Sequence, residues 1–328
     1  MRAAILTAYN SPLQLVEVAD PVPGPYEVLV RVMASGVNPL DIKIRHGQAA
    51  HAQVSPPAIL GIDMAGVVQA VGSQVDRFRV GDEVFGMTGG VGGLQGSLAE
   101  LVAVDAQLIA PKPAALSMVE AAAIPLGFIT SWEGLVDRSD VRAGQTVLVH
   151  GGAGGVGYLA VQLAIARGAR VFATGSRASQ DVIGRTGATP IDYTASTVDD
   201  YVGTYTGGEG FDIVVDNVGG ATLDASFTAV KRYTGHVVSA LGWGEHSLAP
   251  LSFRGATYSG VFTLMPLLTG DRRDHHGAVV AEAAALADAG KLVPRLHSTT
   301  YPLEAADEAH AVVENGAATG KVIVTPDR

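Results

Sequence analysis

The first part of the chain alternates apolar and polar positions in short runs that turn residues separate. Residues 25–37 (PYEVLVRVMASGV) and 61–72 (GIDMAGVVQAVG) show this alternation, and so do residues 79–87 and 98–113. A period of two places successive side chains on opposite faces of a strand. The pattern predicts a mostly-β, barrel-like domain of antiparallel strands over residues 1–122.

Beyond residue 122, apolar strand-like runs alternate with helical patterns. Strands are predicted at residues 146–151, 170–176, 189–193, 211–219, 236–241 and 257–263, with helices over 156–167, 179–186 and 221–232. This alternation predicts an α/β fold, a doubly wound parallel sheet over residues 123–265. A long helical pattern and the closing run GKVIVTP follow, and we expect residues 266–328 to return to the first domain.

The run TVLVHGGAGGVGYLAVQ, residues 146–162, joins the first of these strands to a helix through a glycine turn. Gly152, Gly154 and Gly157 form G-x-G-x-x-G in the strand–turn–helix setting that binds a dinucleotide diphosphate. In that motif Gly152 permits the tight turn, Gly154 lets backbone N–H groups approach the diphosphate, and Gly157 lets the helix pack closely. The segment therefore predicts a cofactor-binding turn made of Gly152, Ala153, Gly154, Gly155, Val156 and Gly157.

The end of the second strand indicates which dinucleotide binds. A site for NAD usually places Asp or Glu there, about 20 residues after the glycines, to bind the 2′-hydroxyl of the adenine ribose. This chain has Ser176 and Arg177 instead, with no carboxylate before Asp181. A hydroxyl and a guanidinium suit a 2′-phosphate, so the sequence predicts NADPH. The alternative is that Arg177 is only a solvated loop charge.

Composition narrows the class of protein. The 328 residues carry a formal net charge of −10 and show no basic stripe, which argues against a nucleic-acid partner. No apolar run reaches the ~18 residues that span a bilayer, and the start lacks a signal-peptide pattern, so we expect a cytoplasmic protein with no membrane partner. The chain has no cysteine, which excludes disulfides and thiolate metal sites.

Several further motifs occur in a recognisable order: PGPYEVLVRVMASGVNPLD, RVGDEVFG, AAAIPLGFITSWEGL and AGGVGYLAVQLA. Over nearly the whole chain they resemble the medium-chain dehydrogenase/reductase superfamily, in its zinc-free quinone oxidoreductase and enone reductase branch. The resemblance implies a GroES-like catalytic domain made from both chain ends, a Rossmann domain between them, and a cleft where NADPH meets a small electrophile. Asn38 and Ile62 stand where zinc-dependent relatives carry their first two zinc ligands, so the resemblance implies no metal.

The segment VNPLDIKIRHG, residues 37–47, resembles the N-P-x-D-x-K variant of enone reductases. Hydride transfer to a conjugated carbonyl develops negative charge on oxygen, which preorganised donors stabilise. Asn38 can donate from its amide, and Lys43 can supply charge or fix the nicotinamide ribose, so both are predicted catalytic residues. Alternatively, Asp41 and Arg45 pair to hold the segment and Lys43 is a solvated surface residue. Many quinone reductases of the family have Tyr at the position of Lys43.

Other site residues follow from the rule that ligands of open α/β sheets bind beyond the carboxyl ends of the strands. The residues there are predicted to bind the cofactor, with Trp243 facing the substrate: Asn217, Leu241, Gly242, Phe262 and Thr263. The resemblance adds Thr130 beside the nicotinamide and Tyr193 near the adenosine phosphate. The alternatives place Leu241 and Phe262 in the core and Asn217 at the cap of the following helix.

Together these patterns predict an NADPH-dependent, zinc-independent reductase that transfers hydride to a quinone or an α,β-unsaturated carbonyl. The alternatives are a reductase of another activated double bond, such as an enoyl thioester, and an NADPH-binding protein without catalysis. The run ATYSGVFT, residues 256–263, would leave an unpaired sheet edge. Since such edges pair across a two-fold axis in the resembled family, we expect a homodimer.

Overall fold

The computed structural model describes residues 1–326 and divides the chain into two compact units. Unit 1 consists of Met1–Leu126 together with the described chain from Leu264 onward, and unit 2 is Gly127–Thr263. Residues 327 and 328, the end of the predicted return, lie outside the described residues. Unit 1 is therefore assembled from two separate stretches of sequence.

The strands are short. In chain order they are β1 (Arg2–Leu6), β2 (Leu13–Glu17), β3 (Glu27–Gly36), β4 (Ala58–Ile59), β5 (Asp63–Val71), β6 (Glu83–Met87), β7 (Leu101–Asp105), β8 (Ile109–Pro111), β9 (Thr146–Val149), β10 (Arg170–Gly175), β11 (Thr189–Asp192), β12 (Ile213–Asp216), β13 (His236–Ser239), β14 (Thr257–Gly260), β15 (Leu296–Pro302) and β16 (Lys321–Thr325).

The α-helices are α1 (Pro39–Arg45), α2 (Met118–Ala121), α3 (Pro125–Trp132), α4 (Gly155–Ala166), α5 (Gln180–Gly184), α6 (Val198–Thr206), α7 (Ala221–Ala229), α8 (Ala249–Arg254), α9 (Met265–Thr269), α10 (Arg273–Asp288) and α11 (Ala306–Glu314). A π-helical segment, Glu133–Arg138, continues α3. Within residues 1–326, no helix has both the length and the apolar character that crossing a bilayer requires.

Unit 1 is mostly β. Its seven-stranded sheet has the order β15-β16-β3-β5-β6-β8, with β7 also paired to β3, and a three-stranded sheet has the order β2-β1-β4. Neighbours in the larger sheet are antiparallel apart from β15 and β16. Along β3, Val28, Val30 and Val32 are buried while the residues between them are partly exposed, which is the predicted period of two.

Unit 2 contains a six-stranded sheet with the order β11-β10-β9-β12-β13-β14, and every neighbouring pair is parallel. The strand order reverses between β9 and β12, and sheets of this kind bind ligands beyond the carboxyl ends of the strands at that point. β9 and β12 are almost entirely buried, as expected for strands of a parallel sheet. The predicted fold class, a doubly wound parallel sheet with a mostly-β domain, is confirmed.

Candidate functional site

The glycine turn of unit 2 lies between β9 and α4. Gly154 directly precedes α4 with extended backbone angles, φ −78° and ψ 171°, and Ala153 lies in the same turn. The first N–H groups of an α-helix have no partner within the helix. Those of Gly155, Val156 and Gly157 are therefore the donors that the turn offers to a diphosphate, and the positive end of the helix dipole favours the same negative charge.

Close contacts explain two glycines of the turn. A Cβ on Gly157 would lie 2.2 Å from the carbonyl oxygen of Gly151, and one on Gly152 would lie 2.6 Å from the Cβ of Ala173. Gly157 thus lets α4 approach the turn, whereas Gly152 lets the turn pack on β10. The tight turn itself is made by Gly151 rather than Gly152, since Gly151 has a φ of +70°. A Cβ on Gly155 would meet nothing within 4 Å, so space remains beside the donors.

The carboxyl ends of β10 and β11 bring together the residues predicted to recognise a 2′-phosphate. Ser176 follows β10 and is partly buried, and the next residue, Arg177, is exposed. Tyr193 follows β11, is 58% exposed, and donates its N–H to the carbonyl of Gly175 at 3.3 Å. A hydroxyl, a guanidinium and a phenol therefore lie at one corner of the sheet.

A fully buried carboxylate, Asp216 at the end of β12, fixes two of the predicted loops. Its oxygens accept the N–H groups of Val218 at 3.1 Å and Gly219 at 3.0 Å, and the hydroxyl of Ser239 at 2.7 Å. The Ser239 oxygen in turn accepts the N–H of Leu241 at 3.0 Å. One side chain thus ties the loop after β12 to the loop after β13.

Asn217 connects β12 to β9 and does not cap the helix that follows it. Its amide donates to the carbonyl of His150, 3.3 Å away, and α7 begins only after Gly220. Burial lowers the pKa of His150 to about 4, so this ring is neutral at pH 7. Asn217 therefore bridges the two strands between which the order of the sheet reverses.

Trp243 follows Gly242 in the loop after β13 and is 53% exposed. Its ring packs edge to face on Phe262, with the ring centroids 6.5 Å apart and the planes at 87°. Thr263, the next residue after Phe262, is buried. The structure thus brings Trp243 and Phe262 together, and neither Phe262 nor Leu241 is fully buried.

Thr130 lies on α3, which packs closely on the start of α4. A Cβ on Gly127 of α3 would lie 3.1 Å from the carbonyl oxygen of Gly155. The hydroxyl of Ser131 donates to the carbonyls of Gly127 at 2.7 Å and Val156 at 3.2 Å. The helix that carries Thr130 is therefore held against the first turn of α4, where the predicted diphosphate donors lie.

In unit 1, a buried polar cluster surrounds Asn38, the residue before α1. Lys321 donates from Nζ to Oδ1 of Asn38 and, at 2.7 Å, to Oδ2 of Asp63. Nδ2 of Asn38 donates to the same Asp63 oxygen at 3.0 Å and to the carbonyl of Gly36 at 3.2 Å. The other Asp63 oxygen accepts the N–H of Leu126 at 2.8 Å. Because an amide carries two N–H donors, both donors of Asn38 already have protein acceptors.

Asp41, in the first turn of α1, is also part of this cluster. Its carboxylate oxygens accept the N–H groups of Asn38 at 2.8 Å and Gly61 at 3.2 Å. Burial raises the pKa of Asp41 to about 7. The alternative in which Asp41 pairs with Arg45 is wrong, because Asp41 is buried while Arg45 forms an ion pair with Asp307 at 3.1 Å.

Lys43 lies on the exposed side of α1, away from the buried carboxyl of Asp41. A groove of about 360 Å³ between α1 and α11 is lined by Lys43 together with Pro39, Ile42, His46, Gln48, Val313 and Glu314. The structure thus joins Asn38 to Asp63 and Lys321 rather than to Lys43. The two predicted catalytic residues are close in sequence, Asn38 just before α1 and Lys43 within it, but they have different surroundings.

Sequence reasoning missed Asp63, Lys321 and Asp216. Each is a charged residue within an apolar run, in GIDMAG, GKVIV and FDIVVD. A charged residue that is buried needs an opposite charge or hydrogen-bond partners, so a charge within an apolar run is a signal for a buried polar contact. The signal does not name the partner, since Lys321 and Asn38 are 283 positions apart.

Two family models match the chain. The one described as "Alcohol dehydrogenase GroES-like domain" matches residues 24–114, and the one described as "Zinc-binding dehydrogenase" matches residues 186–324. The chain is 34% identical over 308 residues to 2-methylene-furan-3-one reductase of Solanum lycopersicum, which covers 92% of this chain and 72% of the relative. It is 29% identical over 330 residues to the quinone oxidoreductase of Homo sapiens, and the match covers 99% of this chain and 97% of that relative.

Other relatives are much longer than this chain. Mycoketide-CoA synthase of Mycobacterium tuberculosis is 36% identical over 322 residues, which is 97% of this chain but 7% of the synthase. Among solved structures, an alcohol dehydrogenase superfamily protein from Novosphingobium aromaticivorans is 55% identical with a TM-score of 0.97, covering 100% of both chains. The Escherichia coli quinone oxidoreductase complexed with NADPH is 27% identical with a TM-score of 0.86, covering 99% of this chain and 100% of that one.

The GroES-like family model matches residues of the mostly-β unit 1, and a solved structure of the alcohol dehydrogenase superfamily matches the whole chain. The chain belongs to the medium-chain dehydrogenase/reductase superfamily of oxidoreductases, in its quinone oxidoreductase and enone reductase branch. The family inferred from the sequence motifs is thereby confirmed.

One of these family models is described as zinc-binding, and the residues present do not fit a zinc ion. The side-chain oxygen of Asn38 accepts a hydrogen bond from the Lys321 ammonium, and Ile62 has no ligand atom. Among residues 1–326, no group of three or more His, Asp or Glu side chains could hold a metal ion.

Proposed function

We propose that the protein is a reductase that transfers hydride from NADPH to a quinone or an α,β-unsaturated carbonyl compound without a metal. The observation that carries the proposal is the glycine turn, where Gly157 brings α4 close and Gly155 leaves open space beside the helix donors. Turns of this kind at the first strand of such a sheet bind a dinucleotide diphosphate. When bound, NADPH supplies the hydride.

The substrate class follows from the relatives and from the charged groups of unit 1. Two relatives are reductases of an enone and of a quinone, namely 2-methylene-furan-3-one reductase and quinone oxidoreductase. A conjugated acceptor disperses negative charge, so a few hydrogen-bond donors can replace a metal. Lys43 is exposed and can donate without breaking a protein contact, whereas Asn38 would first have to release Gly36 or Asp63. Both stay in the proposed site, Lys43 as a candidate donor and Asn38 as a residue that orients its neighbours.

A substrate panel tests the proposal. We expect NADPH-dependent reduction of quinones and enones and no oxidation of ethanol or propanol with NADP⁺, because a simple alkoxide needs a Lewis acid that the site does not offer. Lys43→Ala tests the candidate donor: kcat/KM should fall by about 10 to 1000-fold where the Lys43 ammonium contacts the substrate oxygen, and by less than about threefold where another group is the donor. Steady-state kinetics give both answers, and alcohol oxidation without quinone or enone reduction would contradict the proposal.

An enoyl thioester is the second candidate substrate, because the chain is 25% identical to the CurK enoyl reductase, with a TM-score of 0.86 over 99% of both chains. Crotonyl-CoA therefore belongs in the panel. A kcat/KM for crotonyl-CoA above that of every quinone and enone would favour this candidate. Tight NADPH binding without turnover of any acceptor would instead favour a non-catalytic role.

Arg177 is proposed to select NADPH over NADH. Removing a charge-assisted phosphate contact by Arg177→Ala should weaken NADPH binding by about 1.5–3 kcal/mol and leave NADH binding nearly unchanged. Fluorescence titration with both cofactors measures the difference. Arg185→Ala, which removes another exposed arginine from the same region, is the matched control and should change neither affinity. Equal losses for both cofactors in Arg177→Ala would show that Arg177 does not bind the 2′-phosphate.

We also propose a homodimer that pairs the β14 edges of two chains. The N–H groups of Thr257 and Val261 donate to the carbonyls of Gly235 and Ser239, on the side of β13. Because N–H groups alternate in direction along a strand, the N–H of Gly260 faces the outer edge of the sheet. Gly260→Pro removes that outward donor and leaves the bonds to β13 intact, and we expect it to be monomeric. Gly260→Ala keeps the donor and should stay dimeric. If the proline variant sediments as a dimer at low concentration, the interface lies elsewhere.

A further inference from the structure

Lys321, at the start of β16, uses two of its three ammonium N–H groups in hydrogen bonds to the protein. Its side chain is 10% exposed, and Nζ donates to Asn38 and to Asp63. An ammonium carries three N–H groups. Within residues 1–326, the third N–H of Lys321 has no protein acceptor. A nearly buried cation thus retains a donor and limited access to solvent.

The same ammonium determines how the Asn38 amide is oriented. An ammonium can only donate, so the atom of Asn38 that faces Lys321 must be the oxygen. The amide nitrogen is consequently turned toward Asp63 and Gly36, and both of its donors are in use. Asn38, which the sequence suggests as the donor to the substrate, has no donor left for that task. Its role in this geometry is to hold Lys321.

The surroundings of Lys321 also make it a stronger donor than Lys43. Lys321 is held in a buried cluster, where water screens its charge poorly and its position is preorganised. Lys43 is exposed in a groove, where water and salt screen its charge. A donor of fixed position in a poorly screened environment stabilises developing charge best.

We propose that Lys321 is a catalytic residue whose free N–H donates a hydrogen bond to the substrate oxygen on which negative charge develops. This inference rests on the proposed function, because it assigns the donor of that reaction. When bound, NADPH would supply a hydride from C4 of its nicotinamide and become NADP⁺. The hydride would add to the β-carbon of an enone, the C=C electrons would shift toward the carbonyl carbon, and the C=O π electrons would move to the oxygen. Lys321 stabilises that oxyanion, and solvent supplies the proton that completes the product.

A series of substituted 1,4-benzoquinones tests the assignment. Lys321→Met should lower kcat by about 100 to 1000-fold and leave the KM for NADPH within about threefold. The loss should grow as the hydroquinone oxygen becomes more basic, because a more basic oxyanion gains more from the donor. Lys321→Arg should recover part of the rate. Lys112→Met is the matched control, since Lys112 is 6% exposed and ion-paired with Glu83, and its kcat should be unchanged.

A second readout does not depend on turnover. The chromophore 4-nitrophenol, added with NADP⁺, presents a phenolate oxygen to the donor, and its absorption reports its ionisation. We expect the wild type to bind the phenolate and lower its apparent pKa, and Lys321→Met to lose this effect. If Lys321→Met does not fold because Asp63 has lost its cation, the Lys321→Met/Asp63→Asn variant is compared with Asp63→Asn alone.

The outcomes separate this inference from the proposed function. A wild-type protein that reduces no quinone and no enone with NADPH overturns the function and the assignment together. An active wild type with Lys321→Met indistinguishable from Lys112→Met overturns the assignment alone. A loss that is uniform across the quinone series, with a raised KM for NADPH, also overturns it, because Lys321 would then act on the cofactor or on the fold.

Discussion

Replacing Gly157 by alanine is expected to weaken NADPH binding by about 100-fold or more. The added Cβ would lie 2.2 Å from the carbonyl oxygen of Gly151, so either α4 or the turn must move. A displacement of about 1 Å in a positioned group costs about 100-fold in function. Overpacking should also lower the free energy of unfolding by about 1–3 kcal/mol. Fluorescence titration with NADPH and urea denaturation measure the two effects.

Two further glycine variants separate the cofactor contact from the fold. Gly155→Ala adds a methyl group that meets no protein atom within 4 Å, so the fold should tolerate it and gain up to about 1 kcal/mol of helix stability. It should still weaken NADPH binding, because the methyl group occupies the space where the diphosphate approaches. Gly184→Ala, in the equally open α5, is the control and should bind normally. Wild-type affinity in both Gly155→Ala and Gly157→Ala would place the cofactor elsewhere.

Asp216→Ala is expected to have the second large effect, on stability and activity together. The substitution leaves the N–H groups of Val218 and Gly219 and the hydroxyl of Ser239 without their buried acceptor. Val218 is 51% exposed, so water can replace its acceptor, but Gly219 and Ser239 are buried. Each unsatisfied buried group costs about 1–3 kcal/mol, so the free energy of unfolding should fall by at least about 2 kcal/mol. The loops that carry Asn217 and Leu241 lose their common anchor, so kcat/KM should also fall.

Urea denaturation and steady-state kinetics of the same preparations test this prediction. Asp216→Asn keeps one acceptor oxygen and should lie between the wild type and Asp216→Ala. Glu245→Ala removes an exposed carboxylate from the loop after β13, and its stability should remain within about 0.5 kcal/mol of the wild type. If Asp216→Ala unfolds at the same urea concentration as Glu245→Ala, the loops do not depend on this carboxylate.

Much of the parallel sheet could be predicted because its signals are local. The runs around β9, β12 and β13 are apolar and bounded by turn residues, and the structure places strands there. Helices α6 and α8 were not predicted. α6 carries two acidic residues in its first turn, with a capping box from Thr197 to Asp200, and α8 has only six residues. Short or polar helices are stabilised mainly by tertiary packing, so their own sequence predicts them poorly.

The glycine turn before α4 and the residues at the end of β10 were predictable for the same reason. Gly154 and Gly157 lie at the start of a single helix, α4, and Ser176 and Arg177 directly follow strand β10. Which glycine adopts the left-handed angle, Gly151, was not predictable, because neighbouring glycines share the same permissive backbone. Residues that are adjacent in sequence are also adjacent in the fold, so the glycine turn and the end of β10 could be predicted from the sequence.

By itself, the sequence determined the fold class, the family and the position of the glycine turn, since each depends on residues close together in the chain. Only the tertiary structure decided the surroundings of Asn38. Lys321 and Asp63 reach it from β16 and β5, and Lys321 is 283 positions away. The direction in which the Asn38 amide points follows from those partners, because a buried donor must meet an acceptor. The pattern of apolar positions indicates which residues are buried but not which distant residues meet, and strand pairing decides that.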